Sequence, residues 1–187
     1  MASDTRDRLV RSTTRLLRTQ GYAATGLNEI MAEAGAPKGS MYFHFPGGKT
    51  ELAAAAVDRF AERSTARMQR YLADHATVAE AVVAIFDGYV EHLEGTGFRE
   101  GCAVANVALD ASSSHPTLAD ATGRAMHRWV DVLAEALEAE GRPTEEAHGL
   151  ATLVIATIEG TVVMARGEQS SEPIATTRDV LRTILAR

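Results

Sequence analysis

Residues 26–45 read GLNEIMAEAGAPKGSMYFHF, and the rest of the chain is best understood outward from them. Leu27, Ile30, Met31 and Ala34 recur at helical spacing, opposite Asn28, Glu29 and Glu33. Gly35 stands where a helix ends in a left-handed residue, and Pro37 follows as a stop. Lys38, Gly39 and Ser40 then open a second helix of about two turns, at roughly 1.5 Å rise per residue. Met41 and Phe45 mark its buried side, while Lys38, Ser40, Tyr42 and His44 point outward. Too little of this helix is apolar for packing alone to account for it. A short helix whose first turn offers a cation, a hydroxyl, a phenol and free N–H groups suits a polyanion. The pattern predicts a helix-turn-helix over about 26–45, its second helix entering the major groove of DNA. A hairpin in some other all-α protein has the same outline, so the motif alone leaves both open.

Upstream, a helix is expected from Asp4 to Gln20, with Leu9, Thr13, Leu16 and Leu17 inward and Gly21 as its stop. Arg8, Arg11, Arg15 and Arg18 fall on one face. A solvated charged face explains them most plainly; bracing a phosphate is the functional alternative. Thr25 ends the connector, placed to cap the next helix or to reach a phosphate. Downstream, Gly48-Lys49-Thr50 suggests a nucleotide-binding loop, but Phe43 occupies the position where that motif needs its first glycine, and no strand precedes it. What remains is a turn that delivers Lys49 to a helix N-terminus, beside the display helix.

Gly21-Tyr22, Thr25, Ile30, Ala34-Gly35, Lys38-Gly39-Ser40, Tyr42, His44-Phe45 and Lys49-x-x-Leu52 form an ordered string that resembles the N-terminal domain of the tetracycline-repressor family of bacterial transcription regulators. The resemblance covers roughly residues 4–55. It implies DNA contacts by Thr25, Lys38, Ser40, Tyr42, His44 and Lys49, with Gly39 letting the backbone approach the duplex. It also implies a palindromic operator and a homodimer. Geometry agrees, because one short helix reads too few bases whereas a two-fold dimer reads two half-sites.

At 187 residues, 45% of them hydrophobic, the chain can bury a real core. The net charge of −6 is unevenly spread. Residues 1–70 hold 11 Lys and Arg against 7 Asp and Glu, a net +4, and residues 71–187 hold 8 against 18, a net −10. Only the first part suits nucleic acid. No run of about 18 unbroken apolar residues suggests a membrane span, and the first residues lack a signal peptide's apolar stretch. A single cysteine excludes an internal disulfide framework, so the cytoplasm is the expected compartment.

The expected architecture is all-α, about nine helices in two parts: a helix-turn-helix domain at 1–47 and a helical ligand-binding and dimerisation domain at 48–187. Thr77-x-x-Glu80 is a capping box opening a helix through Leu93. Further helices are expected over about 101–111, from Pro116 to Gly141, from Pro143 to Arg166 and from Pro173 onward. The last two could form a four-helix bundle with a second copy, through Leu153, Val154, Thr157, Ile158, Thr161, Val162, Val180, Leu181 and Ile184. The monomer's own core is the plainer use of the same faces.

The other helices could enclose a small apolar or aromatic effector. Candidate walls are Phe60, Phe86, Tyr89, Phe98 and Cys102, then Asn106, Met126, Trp129 and Met164, although ordinary core packing is the plainer account of any one of them. Asn106 stands out, since an amide among Val104, Val107 and Leu109 needs a partner. The segment Gly101–Asn106 resembles one in family members that answer antibiotics and flavonoids, such as the lincomycin-resistance regulators of bacilli. The six histidines show no metal-ligand spacing and Cys102 has no evident activating neighbour. Neither an enzyme nor a cofactor is expected. The expected function is a DNA-binding regulator, most simply a repressor released by its effector. The alternatives are an activator, a constitutive autorepressor, or a helical ligand-binding protein without DNA affinity.

Overall fold

The computed structural model describes residues 2–37, 39–111 and 113–186. Among them lie α1 (Ala2–Ala24), α2 (Leu27–Ala34), α3 (Ser40–His44), α4 (Gly48–Asp74), α5 (Val78–Gly95), α6 (Ala103–Ala111), α7 (Pro116–Ala139), α8 (Thr144–Glu168) and α9 (Glu172–Leu185). The all-α expectation holds. Backbone contacts gather the chain into two compact units, one of Met1–Glu62 with Cys102–Ala125, the other of Arg63–Gly101 with Met126–Arg187.

In the first unit α1 carries Leu9, Leu16 and Leu17 into a core shared with Ile30, Met31, Met41, Phe45 and Leu52, all buried. Each large side chain so removed from water contributes about 1.5–3 kcal/mol. The regular helix of α1 breaks at Gly21, at φ 76° and ψ −174°, a region of backbone space essentially reserved for glycine. Gly35 ends α2 in the left-handed conformation, its N–H donating to the Ala32 carbonyl. Two side-chain bridges fasten α2 to α1: Arg15 to both carboxylate oxygens of Glu33, and Gln20 to Glu29 at 2.7 Å. The polar residues of the 26–45 stretch thus serve partly to lock its first helix in place.

In the second unit α9 packs against α5 and α8. Arg178 of α9 donates to Asp87 of α5 at 2.5 Å, and the Val78 N–H donates to Glu140 at 2.6 Å. The Thr77 hydroxyl accepts from the Glu80 N–H at 3.2 Å, as the capping box predicts. The Glu80 carboxylate reaches back to the N–H of Ala76, one residue earlier than a reciprocal box would have it. Among the described helices, α8 is long and apolar enough to cross a bilayer by length and composition alone, although no unbroken apolar run of that length occurs in it. Glu159 is the charged residue within its most apolar stretch. Here α8 buries Ala151, Val154, Ile155, Ile158 and Val162 within its unit.

Candidate nucleic-acid interface

Burying Met41 and Phe45 on one side of α3 turns its other side outward. Tyr42 is 60% exposed and Phe43 is 78% exposed. An apolar ring that open to water is unusual in a folded core element and marks a surface meant to be covered. The ring of His44 lies edge-on to Phe43, at 5.0 Å between centroids. Gly39 precedes the helix with no atom within 4 Å of where a Cβ would stand, so its backbone is open to a partner. Ser40 is half-buried and its hydroxyl donates to the Pro37 carbonyl at 2.7 Å. The helix is shorter than the sequence predicts, five residues from Ser40. The contact expected of Lys38 lies outside the described residues.

Lys49, at the start of α4, holds its ammonium 4.1 Å from the centre of the Tyr22 ring, a cation–π contact. Burial pushes its pKa down and the Asp110 carboxylate offsets part of that. Tyr22 is fixed in turn by a 2.9 Å hydrogen bond between its hydroxyl and that of Thr50, and by an edge contact with His115 at 5.0 Å. The N-terminus of α4 is not bare: the Gly47 N–H donates to Glu51 at 2.7 Å. A phosphate arriving there meets Lys49 together with a carboxylate.

Thr25 departs from expectation. It is 1% exposed and its hydroxyl donates to the Gly21 carbonyl at 2.5 Å. Gly26 occupies the N-cap of α2, with no side-chain cap. The hydroxyl is turned inward because the break at Gly21 leaves that carbonyl in need of a donor. Thr25 therefore shapes the corner into α2 and neither caps the helix nor presents itself to DNA. The arginine stripe of α1 is also committed within the chain. Arg8 pairs with Asp4, Arg11 with Asp7 and Arg15 with Glu33, and Arg18 lies over the Phe60 ring at 5.5 Å. Sequence reasoning missed Phe43, which the aromatic count hides among core residues, and Arg6, which lies 5.1 Å from the Phe45 ring centre. Arg6 lies outside the four-residue stripe, so spacing gave no signal for it.

Of the candidate effector walls, the structure brings together two. Tyr89 and Trp129 line a cavity of about 20 Å³ within the second unit, with Ser64, Arg67, Met68, Tyr71, Ile85, Ile155, Ile158 and Glu159. That volume holds about one water molecule. Phe86 is closed in the core, Phe98 and Met126 are half-buried, and Met164 is exposed. Phe60, Cys102 and Asn106 belong to the first unit. Asn106 satisfies its amide by donating to the carbonyls of Leu17 and Arg18 at 2.9 and 3.1 Å. Tyr71, Arg67 and Glu159 escaped the sequence reading because polar groups beside an apolar stripe look like ordinary surface.

The interface candidates divide the same way. Val154, Ile158, Thr161, Val162 and Leu181 are buried in the chain's own core and cannot meet a partner. Thr157 and Ile184 are half-buried, and Leu153 and Val180 are exposed. With Leu153, the exposed residues Ala156, Gly160, Val163 and Gly167 form a continuous outer stripe on α8 at alternating spacings of three and four, with exposed Met164 beside it. Helical period alone gives two apolar stripes on such a helix, and only packing tells which one is spent inside.

Comparison with known proteins agrees with this architecture. The family described as "Bacterial regulatory proteins, tetR family" matches residues 9–56, and "Transcriptional regulator LmrA/YxaF-like, C-terminal domain" matches residues 78–180. An uncharacterised HTH-type transcriptional regulator of Mycobacterium tuberculosis is 34% identical, over 96% of this chain and 93% of its own. The HTH-type transcriptional regulator LmrA of Bacillus subtilis is 33% identical, over 98% of each. The crystal structure of a TetR transcriptional regulator from Chloroflexus aurantiacus superposes with a TM-score of 0.83 at 31% identity, covering 100% of this chain and 96% of that one.

Proposed function

This chain belongs to the tetracycline-repressor family of bacterial transcription regulators, and from that premise we propose that it is a homodimeric repressor of a palindromic operator, released by a small organic effector. The observation that carries the reading is α3, which hides Met41 and Phe45 and leaves Tyr42 and Phe43 in the open. In this reading Gly39, Ser40, Tyr42 and His44, with Lys38, meet the major groove, and Lys49 braces a phosphate. Phe43 suits an apolar base feature such as a thymine methyl. Residues 1–47, with Lys49 just beyond them, do the reading, and the rest of residues 48–187 supplies effector binding and dimerisation. The protein works in the cytoplasm, where its operator is.

The outer stripe of α8, with Val180 of α9, is the face proposed to meet a second copy, its glycines allowing close helix approach. Two recognition helices about 34–36 Å apart then read two half-sites of one palindrome. The effector acts by favouring a conformation in which that spacing no longer fits, and it shifts the equilibrium only by its difference in affinity for the two states.

Selection of duplexes from a random library at fixed salt tests the proposal. One enriched palindrome is the expected result. Binding that is uniform over sequences and vanishes with salt would leave only non-specific attraction. The small cavity favours a second reading, a regulator without an inducer. The one tryptophan in the chain, Trp129, borders that cavity, so its emission reports occupancy. A panel of planar aromatic compounds that neither alters this emission nor releases the operator would favour the second reading.

A further inference from the structure

Two polar residues one turn apart on α6 grip the corner where α1 gives way to the helix-turn-helix. Before the break at Gly21, the Asn106 amide donates to the carbonyls of Leu17 and Arg18 at 2.9 and 3.1 Å. These are last-turn carbonyls, which a helix end leaves in need of donors. After the break, the Asp110 carboxylate accepts from the Ala23 N–H at 3.0 Å. A Cβ added at Gly21 would stand 2.5 Å from the Asp110 carboxylate oxygen, so the corner has room for glycine only. Between the two grips comes Tyr22, the ring on which Lys49 rests, and His115, just past α6, touches that ring's edge. Nothing in local sequence requires α6 to carry an amide and a carboxylate here. Two apolar residues would pack on α1 as well but would leave the corner's backbone unsatisfied.

We propose that Asn106 and Asp110 are positioning residues for DNA recognition: α6 sets the α1–α2 corner through them, and with it the placement of Tyr22 and the Lys49 ammonium. The proposal rests on the DNA-binding reading above. Neither residue touches DNA. Each acts through the backbone of Leu17–Ala23, and a displacement of α6 by about an ångström would break both grips together, given the steep distance dependence of hydrogen bonds.

The test uses the full chain as wild type, Asp110→Ala, Asp110→Asn and Asn106→Ala. Affinity for the selected duplex is followed by fluorescence anisotropy over a salt series, and amide exchange at Ala23 is measured without DNA. Asp110→Ala is expected to weaken binding about tenfold, one lost hydrogen bond in each protomer. It should also lower the salt slope by about one per displaced phosphate contact and speed exchange at Ala23. Asn106→Ala should weaken binding in the same direction. Asp110→Asn, whose amide oxygen still accepts from Ala23, should restore affinity, slope and exchange. Unchanged affinity and slope in Asp110→Ala would overturn the proposal, as would equal losses in the Ala and Asn variants, which would make charge rather than the grip responsible. A wild-type chain that selects no duplex defeats the DNA-binding reading and the proposal with it. That case is recognised because exchange at Ala23 would still separate Ala from Asn at position 110.

Discussion

Lys49 sits 4.1 Å from the centre of the Tyr22 ring, where burial lowers its pKa and Asp110 raises it part of the way back. A lysine whose folded pKa lies below its ordinary 10.5 binds fewer protons folded than unfolded in the window just under that value. Its charge thus opposes folding at neutral pH, and the opposition fades as pH rises through the lowered pKa. Lys49→Met should therefore remove a rise in stability with pH in that alkaline window, as followed by thermal unfolding. The same change should reduce the salt slope of operator binding by about one per protomer. Gly21 makes the complementary case. A side chain there meets both a backbone strain of about 1–3 kcal/mol and the Asp110 carboxylate. Gly21→Ala should destabilise the protein by at least about 2 kcal/mol in denaturant titration; a loss under half of that would mean the corner relaxes easily.

At the scale of the element, α8 poses a question that its sequence does not answer. Both of its apolar stripes have helical period, one through Val154, Ile158 and Val162, the other through Leu153, Ala156, Gly160 and Val163. The structure buries the first and exposes the second. Substitutions on the two stripes should fail in different ways. Ile158→Ala opens a core cavity and should cost about 2–5 kcal/mol of stability, with little effect on assembly. Leu153→Glu with Val163→Glu places two charges on the outer stripe and should leave the fold intact while sedimentation equilibrium shows monomers. If the double variant remains dimeric, the partner surface is elsewhere. The arginines of α1 teach the same lesson for charge: a face that looks available for phosphate is already paired with Asp4, Asp7 and Glu33.

For the whole molecule, the charge distribution governs how the chain meets DNA. A net +4 over residues 1–70 and −10 over the remainder leave only one region attractive to a polyanion. Affinity should fall linearly with salt on a double-logarithmic plot, with a slope near −0.9 per phosphate neutralised. Dimeric binding doubles the contacts made by one protomer. The double α8 variant should therefore show both weaker binding and about half the slope of the wild type. A full slope from a monomer would mean that the contacts do not come from two equivalent heads.

Local chemistry was legible without coordinates. The period of Leu27–Ala34, the left-handed stop at Gly35, the break at Gly21 and the capping box at Thr77 all depend on neighbours within a few residues. The string from Gly21 to Leu52 carried the family resemblance on the same footing. Tertiary structure alone decided which of two equivalent faces is spent. It turned Thr25 inward, committed the α1 arginines, divided the stripes of α8, and gave Asn106 a partner 89 residues away in the Leu17 carbonyl. Periodicity records that a face is apolar or charged, whereas its partner is fixed by packing between segments far apart in the chain.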